Sequence, residues 1–215
     1  MVERRTRRVL PVSKTPSQFL LDFLPARIAA TADALGIAPS SAGSVTFRLL
    51  DRGEQYSLRL DHGRLLGSTG MAEDTLLQVT LTASDFEHLF VGAAEREAAR
   101  PFDPERHLVA LRALGIDPER AALVRQALGS VALELRAAEH LYRVVLTPGS
   151  AEPELEQPTC RISLDYQDLL DMEDGKVVPL QLLLAGKLLI QGNAQPLMAL
   201  VAALTGPEEP RPARS

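Results

Sequence analysis

The chain of 215 residues has no tryptophan, an aromatic content of only 4%, and one cysteine. A single thiol, Cys160, rules out an internal disulfide framework and fits a reducing compartment. With no histidine beside it in sequence, Cys160 reads as a small buried hydrophobe rather than a reactive thiol. No apolar run reaches the ~18 residues that a membrane span needs. The longest, Val177 to Ile190, is broken by Pro179, Gln181, Gly186 and Lys187. Arg4, Arg5, Arg7 and Arg8 are followed by no apolar stretch, so the N-terminus does not read as a signal peptide. The net charge of -5 argues against nucleic acid as a partner. The expectation is a soluble, cytoplasmic protein with at most transient membrane contact.

Catalytic signatures are missing as well. His62, His88, His107 and His140 are scattered without a metal-ligand spacing. Asp165, Asp168, Asp171 and Asp174 recur every three residues beside Glu173. They lack the glycine and backbone-oxygen pattern of a calcium loop. We read Asp165 as a helix cap and the others as a solvated face near the helix start. Residues Gly63 to Gly70 faintly suggest a phosphate cradle, but no Gly-Lys-Ser/Thr follows, so a loop is expected there. No Gly-x-Ser-x-Gly elbow supports nucleophilic catalysis. We therefore expect no enzyme, no metal and no cofactor.

Residues 1–17 are basic and proline-punctuated, and are expected to form a flexible arm. Helical spacing runs from Phe19 to Leu35, with Gly36 as its stop. Strand alternation follows over Val45–Leu49 and Tyr56–Leu60, with Arg52-Gly53 as the turn and His62-Gly63 closing the second strand. Thr75–Thr82 is a third strand. Ser84 and Glu87 read as a capping box that opens a helix to Phe90.

After Arg100 the pattern restarts. Pro25, Arg27, Ala34-Leu35-Gly36-Ile37 and Pro39 match Pro104, Arg106, Ala113-Leu114-Gly115-Ile116 and Pro118, each 79 residues on. Gly43-Ser44-Val45, Tyr56 and Leu60 match Gly129-Ser130-Val131, Tyr142 and Leu146 at 86. Val79, Leu81, Asp85 and Gly92 match Ile162, Leu164, Asp168 and Gly175 at 83. Shared order, with offsets that change only across loops, points to an internal duplication. The second copy has a helix from Pro104 onward to Leu128 and strands at Val131–Leu135, Leu141–Leu146 and Cys160–Leu164. It continues through an apolar segment into Gly186-Lys187-Leu188-Leu189-Ile190-Gln191-Gly192. Gly192-Asn193 then turns into a helix in which Leu197, Leu200, Val201 and Leu204 form one apolar stripe. The first copy stops short of that strand and helix, so its sheet should have an open edge or borrow a neighbour.

The strand Gly186–Gly192 leading into the final helix resembles the corresponding motif of the sterol carrier protein 2 (SCP2) domain family. The resemblance covers 101–206 well and 18–100 in part. It implies an α+β fold with a mostly antiparallel, five-stranded sheet covered by helices around an apolar tunnel. The domains would be 1–17 (arm), 18–100 (partial copy), 101–206 (complete copy) and 207–215 (charged, proline-rich tail). A sheet face of Val131, Leu133, Tyr142, Val144, Ile162, Leu164, Leu188 and Ile190 would lie under helices carrying Leu183, Leu184, Leu197, Leu200 and Val201. If the helices stand off the sheet, those residues line a slot; if they pack tightly, they are core. The resemblance implies the slot, and with it non-catalytic binding of an acyl chain, sterol or prenyl ligand. The alternatives are an interaction module whose copies pack as an internal pseudo-dimer, with a protein partner or homodimer, and an accessory carrier in lipid-quinone biosynthesis.

Overall fold

The structure, a computed structural model, describes residues 15–99, 103, 104, 107, 111 and 114–205. Most of the expected arm and all of the expected tail lie outside these residues, as does much of 100–113.

Helix α1 covers 16–35 as Pro16–Gln18, a π-helical turn Phe19–Phe23, and Leu24–Leu35. Thr15 and Gln18 cap each other reciprocally, and Gly36 ends the helix at φ 65°. β1 (Ser44–Leu49) and β2 (Glu54–Asp61) form a hairpin, and β2 turns directly into β3 (Arg64–Thr69). The second turn is His62-Gly63, both at positive φ, as a two-residue turn matched to strand twist requires. β3 corrects the reading of 63–70 as a loop. Leu65 and Leu66 stand side by side and most of the strand is exposed, so the alternation that marks a half-buried strand is absent. At Gly67 a side chain would come within 2.8 Å of Leu21 Cδ2, so glycine lets α1 cross this strand closely.

After β4 (Thr75–Leu81), α2 covers 83–99 as Ala83–Phe86, a π-helical turn Glu87–Val91, and Gly92–Ala99. Its cap is Thr82, which accepts from Asp85 N at 3.1 Å; Ser84 is already inside the helix. Pro104, His107, Leu111 and Leu114 are helical, but Gly115–Asp117 interrupts before α3 (Pro118–Gln126). The continuous helix expected as far as Leu128 is therefore broken. Asp117 explains this: its side chain caps α3 by accepting from Arg120 N at 2.8 Å. β5 (Val131–Arg136), β6 (Leu141–Pro148), β7 (Cys160–Asp165), α4 (Tyr166–Glu173), α5 (Pro179–Leu184), β8 (Leu189–Gly192) and α6 (Gln195–Thr205) complete the order.

All eight strands join one sheet, in the order β3-β2-β1-β4-β6-β5-β7-β8. Pairs β1–β4 and β5–β7 are parallel and the other five are antiparallel. The sheet is thus mixed, and the described residues of 101–206 contribute four of its strands, where the resemblance implied five for one SCP2-like domain. The triplets β2-β1-β4 and β6-β5-β7 share pairing senses. Phe47 pairs with Tyr56 and Val79, and Leu133 pairs with Val144 and Ile162. This register puts Val144, not Tyr142, opposite Tyr56 in the comparison. Matching by residue identity erred by two positions because the β5–β6 hairpin is one pair longer than the first.

One sheet face is apolar and carries the helices. On the other, several buried polar groups find partners: Thr46 bonds Ser57 and Thr75, each at 2.9 Å, and Gln78 donates to Gly149 O and Ala151 O. The two halves meet where β4 runs antiparallel to β6, from Leu77↔Pro148 to Thr80↔Val145. That pairing occupies the edge that the N-terminal half would otherwise leave bare. A fragment ending at residue 100 lacks β6 and should be insoluble or melt without cooperativity. A soluble 1–100 fragment with a sharp thermal transition would contradict this.

The 149–159 connection is pinned by Glu154. Its carboxylate accepts from Thr159 Oγ1 (2.7 Å), Thr159 N (3.0 Å) and Ser130 N (3.2 Å). The Thr159 hydroxyl foremost, then the backbone N–H groups, hold its pKa below the usual carboxylate range. A lowered folded-state pKa gives stability that is full above the unfolded value, roughly 4.3, and fades as pH falls through the folded one. The stability gap between wild type and Glu154→Gln in urea melts should therefore be constant near neutrality and close on acidification. A gap that is the same at pH 3 and pH 7 would refute the assignment.

Candidate ligand groove

On the apolar face of the C-terminal half, registered rows of side chains cross β5, β7 and β8. The first row is Val131, Cys160 and Gly192; the second is Leu133, Ile162 and Ile190. The third holds Leu135 and Leu164, with Leu188 packed beside them. The first row is sealed: Val131 and Cys160 lie under Val124 of α3 and under Leu200 and Ala203 of α6. Burial also raises the Cys160 thiol pKa, which keeps it protonated and inert. The third row is sealed by Tyr166, Leu169 and Met172 around α4. The middle row falls between these two clusters, with Leu133 packed against the second and Ile162 against both. Leu133 and Ile162 are half-buried, while Ile190 is 41% exposed on the core side of its strand. The row is least covered at its β8 end, which makes that end the mouth of a candidate groove.

α6 brings Leu197, half-buried, and Val201, 43% exposed. α5 is tied to the start of β8, where Leu182 O accepts from Lys187 N (2.9 Å) and Leu188 N (3.1 Å). It leaves Leu180, Leu183 and Leu184 exposed. The thirteen apolar residues singled out from sequence thus separate. Val131, Tyr142, Val144, Leu164 and Leu200 are buried; Leu133, Ile162, Leu188 and Leu197 are half-buried; Leu183, Leu184, Ile190 and Val201 are exposed.

The halves differ in what fills them. Phe19, Phe23, Phe47, Phe86 and Phe90 interlock in the N-terminal half at centroid distances of 5.3–5.7 Å, in tilted, edge-on and stacked contacts. The described C-terminal half has no phenylalanine, and its groove floor is branched aliphatic.

Sequence reasoning missed Asp168. It was assigned to a solvated face, yet it is only 7% exposed. Its Oδ1 accepts from Lys187 Nζ at 3.0 Å, while its buried Oδ2 has no partner among the described residues. Asp85, 83 positions earlier, does the same job for the other half. It takes His140 Nε2 at 2.9 Å and Arg143 N at 3.2 Å, fastening α2 to β6. The recurrence of Asp85 and Asp168 at that offset was the available signal. Asp165, read as the cap of α4, makes no side-chain capping bond and faces Arg136 instead. Among the described residues no cluster of His, Cys, Asp and Glu is placed to hold a metal, and no helix is long and apolar enough to cross a membrane.

The bond to Asp168 raises the Lys187 pKa. Its contribution is therefore full at neutral pH and is lost only as pH rises through the raised value. Lys187→Met should speed amide exchange across Leu189–Gly192 selectively, leaving β5 protected. Equal protection of β8 in variant and wild type would show that the ion pair does not hold this edge.

Residues 109–205 match the sequence profile of the SCP-2 sterol transfer family. No curated protein matches the chain. Among solved structures, Sterol Carrier Protein 2 Like 2 from Aedes aegypti is 16% identical; the match covers 43% of this chain and 90% of that one, with TM-score 0.28. A structure of palmitated SCP2L2 from Aedes aegypti is 20% identical over 44% and 85%, with TM-score 0.32. The inverting sec-alkylsulfatase Pisa1 from Pseudomonas sp. aligns along 96% of this chain and 19% of its own at 11% identity, with TM-score 0.22.

Proposed function

We propose that the C-terminal half is a non-catalytic carrier site for one long apolar ligand of acyl, sterol or prenyl type. The observation that carries this reading is the Leu133–Ile162–Ile190 row, least covered at its β8 end, between two packed clusters of helices. The family profile over 109–205 supports the same assignment, since it spans every element around that row. We also propose that 18–100 and 101–206 are a partial and a complete SCP2-like unit. Their shared strand order and pairing senses support this, and the first unit, packed with phenylalanine, serves as scaffold. An internal pseudo-dimer supporting another protein remains the second reading, favoured by the β4–β6 junction.

No ionic anchor is needed for useful affinity. Each buried methylene is worth roughly 0.8 kcal/mol. About a dozen give on the order of 10 kcal/mol before association costs, which leaves room for micromolar binding.

Charge placed in the groove should block uptake while sparing the fold. Ile190→Lys and Val201→Lys start from exposed positions and should each lower affinity for a fluorescent fatty acid at least tenfold. Gln195→Lys, on the exposed start of α6, should leave uptake intact. Leu200→Lys should instead unfold the protein, because Leu200 lies in the sealed row. Wild-type protein that stays folded yet takes up no acyl, sterol or prenyl probe at tens of micromolar would end the carrier reading.

A further inference from the structure

The apolar row is flanked by one buried charge pair. Asp168 is followed on α4 by Leu169, which packs in the cluster that includes Leu133 and Ile162. Lys187, which donates to Asp168 Oδ1 at 3.0 Å, is followed by Leu188 of the same cluster. The pair therefore stands at the α4 flank of the row, where the chain enters β8. We infer that Asp168 is the polar subsite of this groove and selects ligands that end in a hydrogen-bond donor, a long-chain alcohol before the matching ether or acid, an inference that rests on the carrier reading.

The other half shows what Asp168 lacks. Val79 pairs with Leu146, and Ile162 pairs with Ile190; Asp85 and Asp168 each follow the first member of their pair by six residues. Arg143 and Lys187 each precede the second member by three, and each donates to its carboxylate, Arg143 through its N–H at 3.2 Å and Lys187 through Nζ. His140, 2.9 Å from the other oxygen of Asp85, corresponds by position to Leu184, whose side chain has no polar atom. Both oxygens of Asp85 are therefore engaged, whereas Asp168 Oδ2 is buried and has no partner among the described residues. An ionised carboxylate oxygen only accepts, and leaving it buried and unpaired is costly, so a donor that reaches it recovers that cost. Lys187 already balances the charge, which makes a neutral hydroxyl the fitting donor. An ether brings no donor, and an acid brings a second carboxylate beside the first. Acids still bind through their chains, less tightly.

Titration of the full chain with 1-dodecanol, dodecyl methyl ether and dodecanoate, read at the Ile190 methyl resonance, tests this. Wild type should bind the alcohol roughly fivefold or more tighter than either the ether or the acid. In Asp168→Asn the amide oxygen can keep Lys187 while the amide nitrogen replaces Oδ2 as a donor. That variant should bring the three affinities within roughly twofold of one another. A merely structural role for Asp168 would change all three affinities together and preserve their order. The subsite is overturned, with the carrier reading left standing, if wild type binds alcohol and ether equally, a comparison that needs no variant. It is equally overturned if Asp168→Asn keeps the wild-type order. If none of the three ligands shifts Ile190, the carrier reading falls and the subsite with it.

Discussion

Everything in this molecule depends on the antiparallel pairing of β4 with β6. Each half alone would be a four-stranded sheet with an unsatisfied row of N–H and C=O groups at its junction edge. Joining Leu77–Thr80 to Val145–Pro148 turns both into one eight-stranded sheet with a continuous apolar face. The carboxylate of Asp85 reinforces the seam from above, bonding His140 and Arg143 N on the partner half. Its low exposure makes those bonds matter, because a buried carboxylate left unpaired is costly.

The continuous sheet sets up a contrast in packing. Over the N-terminal half, flat rings fill the space between α1, α2 and the strands, and Phe86 and Leu20 are wholly buried. Over the C-terminal half the cover is split. α6 is held by α3 above Val131 and Cys160, and α4 by Leu135 and Leu164. Among the described residues no aromatic ring bridges the space between them, and the middle row is least covered toward β8. A chain with few aromatic residues concentrates them in its scaffold and leaves the aliphatic half open.

Much of this was legible in the sequence. Seven of the eight strands were expected from sequence, the first two from clear alternation, and Gly186–Gly192 marked the last strand and the turn into the final helix. β3 was hidden because an exposed edge strand needs no alternation, though the His62-Gly63 turn was a usable clue. Sequence spacing placed Leu200 and Val201 on one stripe, but only packing shows that one seals the core and the other faces the gap. Asp168 was read as solvated because it recurs with other carboxylates every three residues; its partner Lys187 lies 19 residues on, beyond the reach of local pattern. The seam itself was inferable only as a missing strand in the first half; which strand would supply it depends on long-range pairing that local pattern does not encode.

The most direct test of the account is an intermolecular NOE measurement on protein labelled at its five isoleucine δ1 methyls, saturated with palmitate. The account predicts contacts from the acyl chain to Ile162 and Ile190 and none to Ile37 or Ile116. Palmitate bound with no contact to Ile162 or Ile190 would contradict it.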